Sequence, residues 1–374
     1  MKALITGLLA MTTAFVAQPD EPGAPRFHAQ TFTLAAAGDL LVQPELVAQA
    51  AADARAAGRQ GRDFTAILGA LRPAIAGADL GLCHMETPLA RPQDPPTGYP
   101  IFNAPPELAG AVADLGFDAC STASNHTLDY GEAGVRRTLD GLDRAGVRHA
   151  GSARSRQEAV TPTVVVVRGV KVGLLSYTFS FNGVPRPDGK AWIANLIDER
   201  AILAEARAAK AAGAEIVVLS LHAGTEYQHE PDSGQVGLAR TLLASPDIDL
   251  IVGHHVHVVQ PFEQIDGEWI AYGIGNVLTR FPDGSPENTQ DAVVPTFTFT
   301  RGTDGWRVTA VEVRPTWMEY APKERIVDLA AALGRSDVTG ERREAYQRAY
   351  NRISRWVNAR GAAADGLVIA RPGA

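Results

Sequence analysis

The sequence predicts an α/β sandwich whose strands deliver polar side chains to one edge. Three observations predict it. Short apolar, β-branched runs alternate with Ala-rich segments of helical character. Paired runs around Gly169 and around Asp266-Gly267 read as hairpins in the middle and late parts of the chain. Several predicted strands are followed at once by a carboxylate, an amide or an imidazole. With 374 residues the chain can form one large domain or two smaller ones, and 45% hydrophobic residues suffice for a core. A net charge of −7 excludes a general nucleic-acid binder, which needs a basic surface, but not a metal site, which needs only local carboxylates.

From the N-terminus, Lys2 and the apolar run from Ala3 to Ala17 form an export signal, too short to span a membrane comfortably. Residues 18–30 are rich in Pro, Gly and charge and form a linker. The main domain is expected over 31–315. Thr31–Ala37 is its first strand, ending in Gly38-Asp39. Residues 45–58 and 64–76 are helices. Asp79–Cys83 is the next strand, with Glu86 just after it and a Pro- and Gly-rich loop over 90–104 of the kind that often covers a site. A helix over 105–115 leads to the strand Phe117–Ser121 and then to Asn125-His126, with Asp129 near enough to hold His126 in one tautomer. An Asn-rich turn capping the helix over 132–145 is the alternative reading.

Thr163–Arg168 and Lys171–Tyr177 form a hairpin, and Asp198 caps a helix running to Ala212, stopped by Gly213. Glu215–Leu221 is a strand ending in His222. Ile248–Val252 is a buried strand, after which Gly253 allows a sharp turn into His254-His255-Val256-His257. In an extended backbone His255 and His257 point the same way, and His254 points elsewhere, as a supporting or surface residue. The glycines of Ala271–Asn276 suggest backbone packed close against this loop. A late hairpin covers 293–313. Residues 316–374 are expected as a helical extension, one helix with Ile326, Leu329 and Leu333 on a face and another with Tyr346, Tyr350, Ile353 and Val357, before a frayed end. Cys83 and Cys120 are read as two buried thiols, with a disulfide open to them in an oxidising compartment.

Asp39, Glu86, Asn125, His126, His222, His255 and His257 thus all follow strands. Hard oxygens mixed with imidazoles suit Mn²⁺, Zn²⁺ or Fe better than Mg²⁺, and there are donors for one or two divalent ions with a bridging carboxylate.

Taken in order, several motifs resemble the CapA family of capsule and poly-γ-glutamate synthesis proteins, related to the calcineurin-like metallophosphoesterases. They are Gly38-Asp39, the Glu of His84-Met85-Glu86, Ser124-Asn125-His126-x-x-Asp129-Tyr130-Gly131, His222-x-Gly-x-Glu226-Tyr227, Gly253-x-His255-x-His257 and Tyr272-x-x-Gly275-Asn276. The resemblance runs from about residue 32 to about residue 280. It implies a metallophosphoesterase-like, four-layer α/β/β/α sandwich on the outer side of the cell membrane, periplasmic or extracellular. It also implies metal ligation by Asp39, Glu86, Asn125, His222, His255 and His257, with Glu86 bridging. His126, partnered by Asp129, would be the general acid or would stabilise the transition state. The chain departs from the wider superfamily in having Leu40-Leu41 where Asp-x-His is usual. It departs from common family residues at Ser124, Ala223 and Val277.

Two function classes follow. One is an exported metal-dependent hydrolase acting on an anionic polymer through a phosphoester or amide bond. The other is a non-catalytic part of a membrane polymer-synthesis complex with a vestigial site.

Overall fold

The computed structural model describes residues 30–373, except 283 and 304 and the side chain of 287. Its strands are β1 (Thr31–Leu40), β2 (Leu80–His84), β3 (Ala119–Ser121), β4 (Arg148–Ala150), β5 (Thr163–Val167), β6 (Val170–Thr178), β7 (Ile216–His222), β8 (Leu250–His254), β9 (Phe262–Ile265), β10 (Glu268–Ala271), β11 (Asn276–Leu278), β12 (Asp291–Gly302), β13 (Gly305–Glu319), β14 (Arg325–Asp328) and β15 (Leu367–Ile369). One sheet runs β14-β13-β12-β1-β2-β3-β4, with β11 also on β1 and β15 on β13; the other runs β5-β6-β7-β8-β10-β9.

Alternation along the strands builds the layers. Phe32, Leu34, Leu82, Val172, Val218 and Val252 meet between the sheets. On the outer face of the first sheet, Ala35, Cys83 and Cys120 pack against Leu46, Leu108 and Val112 from helices Pro44–Ala56 and Glu107–Leu115. On the outer face of the second, Leu175, Leu219 and Ile251 pack against Ile202 and Leu242 from helices Glu199–Ala211 and Ser233–Leu243. The order is helix, sheet, sheet, helix: the four-layer sandwich. Among the described residues no helix is long and apolar enough to cross a membrane.

Several expectations need correction. The helix expected over 64–76 is broken into Thr65–Leu68, a 3-10 turn Gly69–Leu71, and Arg72–Ala76, as Gly69 and Pro73 weaken a continuous helix. Ile326 lies in strand β14, and only Leu329–Leu333 is helical. The long helix Gly340–Val357 buries Tyr346, Ile353 and Val357 as its periodicity predicts, leaving Tyr350 partly buried. The chain end is not frayed through 369: β15 pairs in parallel with β13. Helix Ser233–Leu243, absent from the sequence reading, opens with a capping box between Asp232 and Gln235. Cys83 and Cys120 face each other on neighbouring strands, 4.4 Å apart at Cα, and are joined as a disulfide rather than left as thiols. The export signal and the linker up to residue 29 lie outside the described residues.

Gly253 does not turn the chain. It sits inside β8, and a Cβ there would come within 1.9 Å of the Tyr272 carbonyl oxygen. A Cβ at Gly38 would meet the Gly275 oxygen at the same distance. The segment between β10 and β11 therefore crosses from one sheet to the other over two glycines. It is bonded to both sheets: Asp39 N donates to Gly275 O at 3.0 Å, and Ile274 N to Gly253 O at 3.2 Å.

Candidate metal centre

Register sets the site. In the first sheet Asp39, His84 and Ser121 stand side by side at the ends of the parallel strands β1, β2 and β3. In the second, Thr178, His222 and His254 form the matching row at the ends of β6, β7 and β8. The two rows face each other across the sandwich, and the loops beyond them add Glu86, Asn125, His126, His255 and His257. All of these are buried.

Asp39 is the hub. Its Oδ1 lies 3.1 Å from His254 Nδ1, and its Oδ2 accepts from the His255 amide at 3.1 Å and lies 3.4 Å from His257 Nδ1. His257 Nδ1 also lies 2.8 Å from Asn276 Oδ1, and Asn276 Nδ2 donates to the His257 carbonyl. His222 reaches Asn125 Oδ1 through Nε2 and His84 Nε2 through Nδ1, each at 2.9 Å. His84 Nδ1 lies 2.7 Å from Ser121 Oγ. Among the described residues, three donor sets have their ligand atoms within 4.8 Å of one another: Asp39, Glu86 and His257; Asp39, His84 and His254; Glu226, His255 and His257.

Of the residues expected as ligands, Asp39, Glu86 and His257 thus meet directly. His255 stands beside His257 with ring centroids 6.0 Å apart, and beside His222 at 4.8 Å. Asn125 joins through His222. His126 sits next to Asn125 in none of the three sets, and its Nδ1 lies 2.8 Å from Asp129 Oδ2, which also accepts from the Phe102 amide. His254 does not point elsewhere as expected. His255 and His257 take positive φ, 87° and 58°, so the loop is not extended and period-2 alternation does not hold there. The sequence reading missed His84, His254 and Glu226 as donors. His84 was legible: it ends a strand and shares a face with Glu86, two residues on.

Charge is unevenly settled. Burial alone would raise the Asp39 pKa, but hydrogen bonds from His254 and His257 hold it well below the usual range. Burial, then the Asp39 charge, push Glu86 well above its usual value. Burial and neighbouring imidazoles push His84 and His222 well below theirs, and burial takes His255 down to about 3. Burial would lower His257 too, but Glu86 and Asp39 raise it to about 9.

These donors fit a divalent cation. Both Glu86 carboxylate oxygens, His254 Nε2 and His255 Nδ1 are buried with no hydrogen-bond partner, and such atoms are costly unless something positive sits among them. The 2.9 Å between His222 Nε2 and Asn125 Oδ1 also fits, because two ligands about 2.1 Å from one ion and at about 90° stand about 3 Å apart. Beside the centre opens a cavity of about 720 Å³, lined by His126, His257, Glu226, Tyr99, Tyr227 and Phe281 among others.

The family described as "Bacterial capsule synthesis protein PGA_cap" matches residues 33–280. "Capsule biosynthesis protein CapA" of Bacillus anthracis is 28% identical over 198 residues, 52% of this chain and 47% of that protein. "PGA biosynthesis protein CapA" of Bacillus subtilis (strain 168) is 30% identical over 209 residues, 55% of this chain and 54% of that protein. The chain thus matches about half the length of these relatives. Among solved structures, a 5'-nucleotidase precursor from Thermus thermophilus shares 16% identity at a TM-score of 0.48, covering 87% of this chain and 59% of that one. The calcineurin-like phosphoesterase YfkN from Bacillus subtilis shares 15% at a TM-score of 0.45, covering 87% and 97%.

Proposed function

This chain belongs to the family of bacterial capsule synthesis proteins termed PGA_cap, and we propose that it is an exported, metal-dependent hydrolase of phosphoester or amide bonds in an anionic cell-envelope polymer. The observation that carries the reading is Glu86: a fully buried carboxylate with neither oxygen bonded, set among Asp39, His257 and further imidazoles. Asp39, Glu86 and His257 would hold one ion, and Asn125, His222 and His255 a second. Bound there, a divalent ion polarises the scissile group and lowers the pKa of water.

The chain's own residues supply the rest. Asp129 accepts from His126 Nδ1–H, which fixes the ring; with both ring nitrogens protonated, His126 hands its Nε2 proton to the leaving group and is left neutral with Nδ1–H still on Asp129. Phe102 packs edge-on against that ring at 4.6 Å and keeps bulk water from it. Tyr99, Tyr227 and Glu226 stand at the rim of the cavity, where an extended chain can enter from solvent. Export is supported by the Lys2-led apolar segment and by the Cys83–Cys120 disulfide, a pairing that persists in oxidising compartments.

The test is metal analysis of the purified protein, joined to hydrolysis of bis(p-nitrophenyl) phosphate and γ-glutamyl p-nitroanilide. We expect one or two equivalents of Mn, Zn or Fe, with turnover of one substrate lost on chelation and restored by the ion. Full metal occupancy without turnover would favour a non-catalytic role in polymer synthesis. No metal uptake would end the reading.

A further inference from the structure

His84 is no part of the ligand set proposed above, yet it is one of the most enclosed polar groups in the chain. Its ring stacks on His254 at 4.0 Å and 13°, and both its nitrogens are engaged, Nδ1 with Ser121 Oγ and Nε2 with His222 Nδ1. The contacts Ser121–His84–His222–Asn125 form an unbroken line of 2.7, 2.9 and 2.9 Å. A neutral imidazole has one N–H and one lone pair, so fixing the direction of one contact fixes the others.

The line has two self-consistent directions. In the first, the Ser121 hydroxyl donates to His84 Nδ1, His84 Nε2–H donates to His222 Nδ1, and His222 Nε2–H donates to Asn125 Oδ1. Every donor is used, and no lone pairs face each other. In the second, Ser121 turns its hydroxyl to the Cys83 carbonyl, 3.3 Å away. His84 Nδ1–H then donates to Ser121, His222 Nδ1–H donates to His84 Nε2, and His222 Nε2 is left as a lone pair. That lone pair faces the lone pairs of Asn125 Oδ1 at 2.9 Å. The second direction is repulsive at that point unless a cation takes both atoms as ligands. Asn125 Nδ2 donates to Asn182 Oδ1 at 3.3 Å, which holds its Oδ1 toward His222.

Resting on the metal reading above, we infer that Ser121 and His84 form a tautomeric relay that switches direction when a cation binds His222. No group changes its net charge. His222 gives up the proton on Nε2 and carries one on Nδ1, His84 exchanges its Nε2 proton for one on Nδ1, and Ser121 keeps its proton and rotates. The His222 Nε2 proton passes to solvent water and solvent water returns one at the Ser121 end, so the count of bound protons is unchanged. His84 is a positioning residue: it acts on the metal only through His222. Its usefulness is that a ring able to donate or accept on either nitrogen supports His222 in both states, which a fixed backbone carbonyl cannot do.

The test is nitrogen NMR of the full-length protein labelled with ¹⁵N-histidine, metal-free and loaded with diamagnetic Zn²⁺. Metal-free, His84 and His222 are expected as Nε2–H tautomers. On loading, the His84 signals should change to those of the Nδ1–H tautomer, although His84 binds no metal. Zn²⁺ affinity supplies the second readout. His84→Leu should weaken it by roughly 10–100-fold, the usual loss for a partner that orients a ligand. His84→Gln, whose amide donates to Ser121 and accepts from His222, should stay within a few-fold of the parent. Zn²⁺ uptake with unchanged His84 signals would overturn the relay alone. Equal loss in His84→Gln and His84→Leu would make His84 a ligand in its own right, in the set with Asp39 and His254, and would also overturn it. No Zn²⁺ uptake by the parent protein would overturn the metal reading, and the switch with it, even with the metal-free tautomers as described. Should His84→Leu fail to fold, the NMR comparison on the parent protein still decides.

Discussion

Replacing Glu86 by Gln separates a metal ligand from a structural acid, because the two roles predict opposite patterns of stability. The side chain is wholly buried, and its nearest opposite charge is His257, with Oε1 4.0 Å from Nε2. At that distance an ion pair attracts by about 4 kcal/mol at an effective dielectric of about 20. Taking the two ions out of water costs several kcal/mol each, so such a pair comes out near break-even. In the metal-free protein Glu86→Gln loses the attraction but also escapes the desolvation cost, and stability should change by no more than about 2 kcal/mol in either direction. With an ion at about 1,000 times its Kd, the parent protein gains about 4 kcal/mol. For a chain of this length that is a rise of about 6 °C in Tm. Glu86→Gln should gain less than about 1 kcal/mol under the same conditions. The assay is thermal unfolding of both proteins after chelation and again with excess Mn²⁺ or Zn²⁺. A variant more than about 4 kcal/mol less stable without metal that gains as much as the parent with it would make Glu86 a structural acid and not a ligand.

Further outcomes are expected. The raised pKa of His257, about 9, means that the folded protein holds a proton which the unfolded chain loses near pH 6.5. Its contribution, on the order of 3 kcal/mol, is complete below pH 6.5 and lost as pH rises to about 9. Glu86, also raised, works in the same direction from its ordinary value upward. Denaturant unfolding of the chelated protein should therefore show stability falling from pH 6.5 to 9, and excess metal, which takes the proton's place, should flatten or reverse that slope. His126→Asn should leave metal content unchanged and slow hydrolysis by roughly 10²–10⁴-fold, measured on whichever p-nitrophenyl substrate the parent turns over; equal metal loss would instead make it a ligand. Cys83→Ala with Cys120→Ala opens a link between residues 37 apart in sequence, and unfolding curves should show a loss of about 4 kcal/mol on chain-entropy grounds. Unchanged unfolding would mean the thiols do not pair in the native protein.

Much of this architecture was legible in the sequence, and the rest was hidden for identifiable reasons. The apolar runs ending in His222 and Ile251-Val252 are strands because β-branched side chains fill a sheet buried on both faces, and the run ending in Asp39 is one because Phe32, Leu34 and three alanines fill the same kind of place. The turn at Asp266-Gly267 is a hairpin because both residues take positive φ, 52° and 94°. His254 was misplaced because alternation presumes extended backbone, and the loop that follows it is folded by left-handed residues at 255 and 257. The disulfide was hidden because it depends on β2 lying beside β3 with Cys83 opposite Cys120, a long-range register that no local pattern encodes. The helix at Ser233–Leu243 had a usable signal, an Asp three residues ahead of a Gln at 232 and 235, that went unused. Glu226 stood in a recognised motif, but nothing local ties it to histidines thirty residues away.

The segment that crosses from β10 to β11 has a consequence for how the centre can be lost. Its backbone is bonded to β1 on one side and to β8 on the other, over glycines that leave no room for side chains. Opening it parts Asp39 from His254, His255 and His257 in one event, since Asp39 lies in a strand of one sheet, whereas His254 ends a strand of the other and His255 and His257 lie in the loop that follows it. The centre therefore has no natural route to shedding its donors one at a time. In hydrogen exchange the amides of Asp39 and Ile274 should open together, in the slowest and most cooperative class.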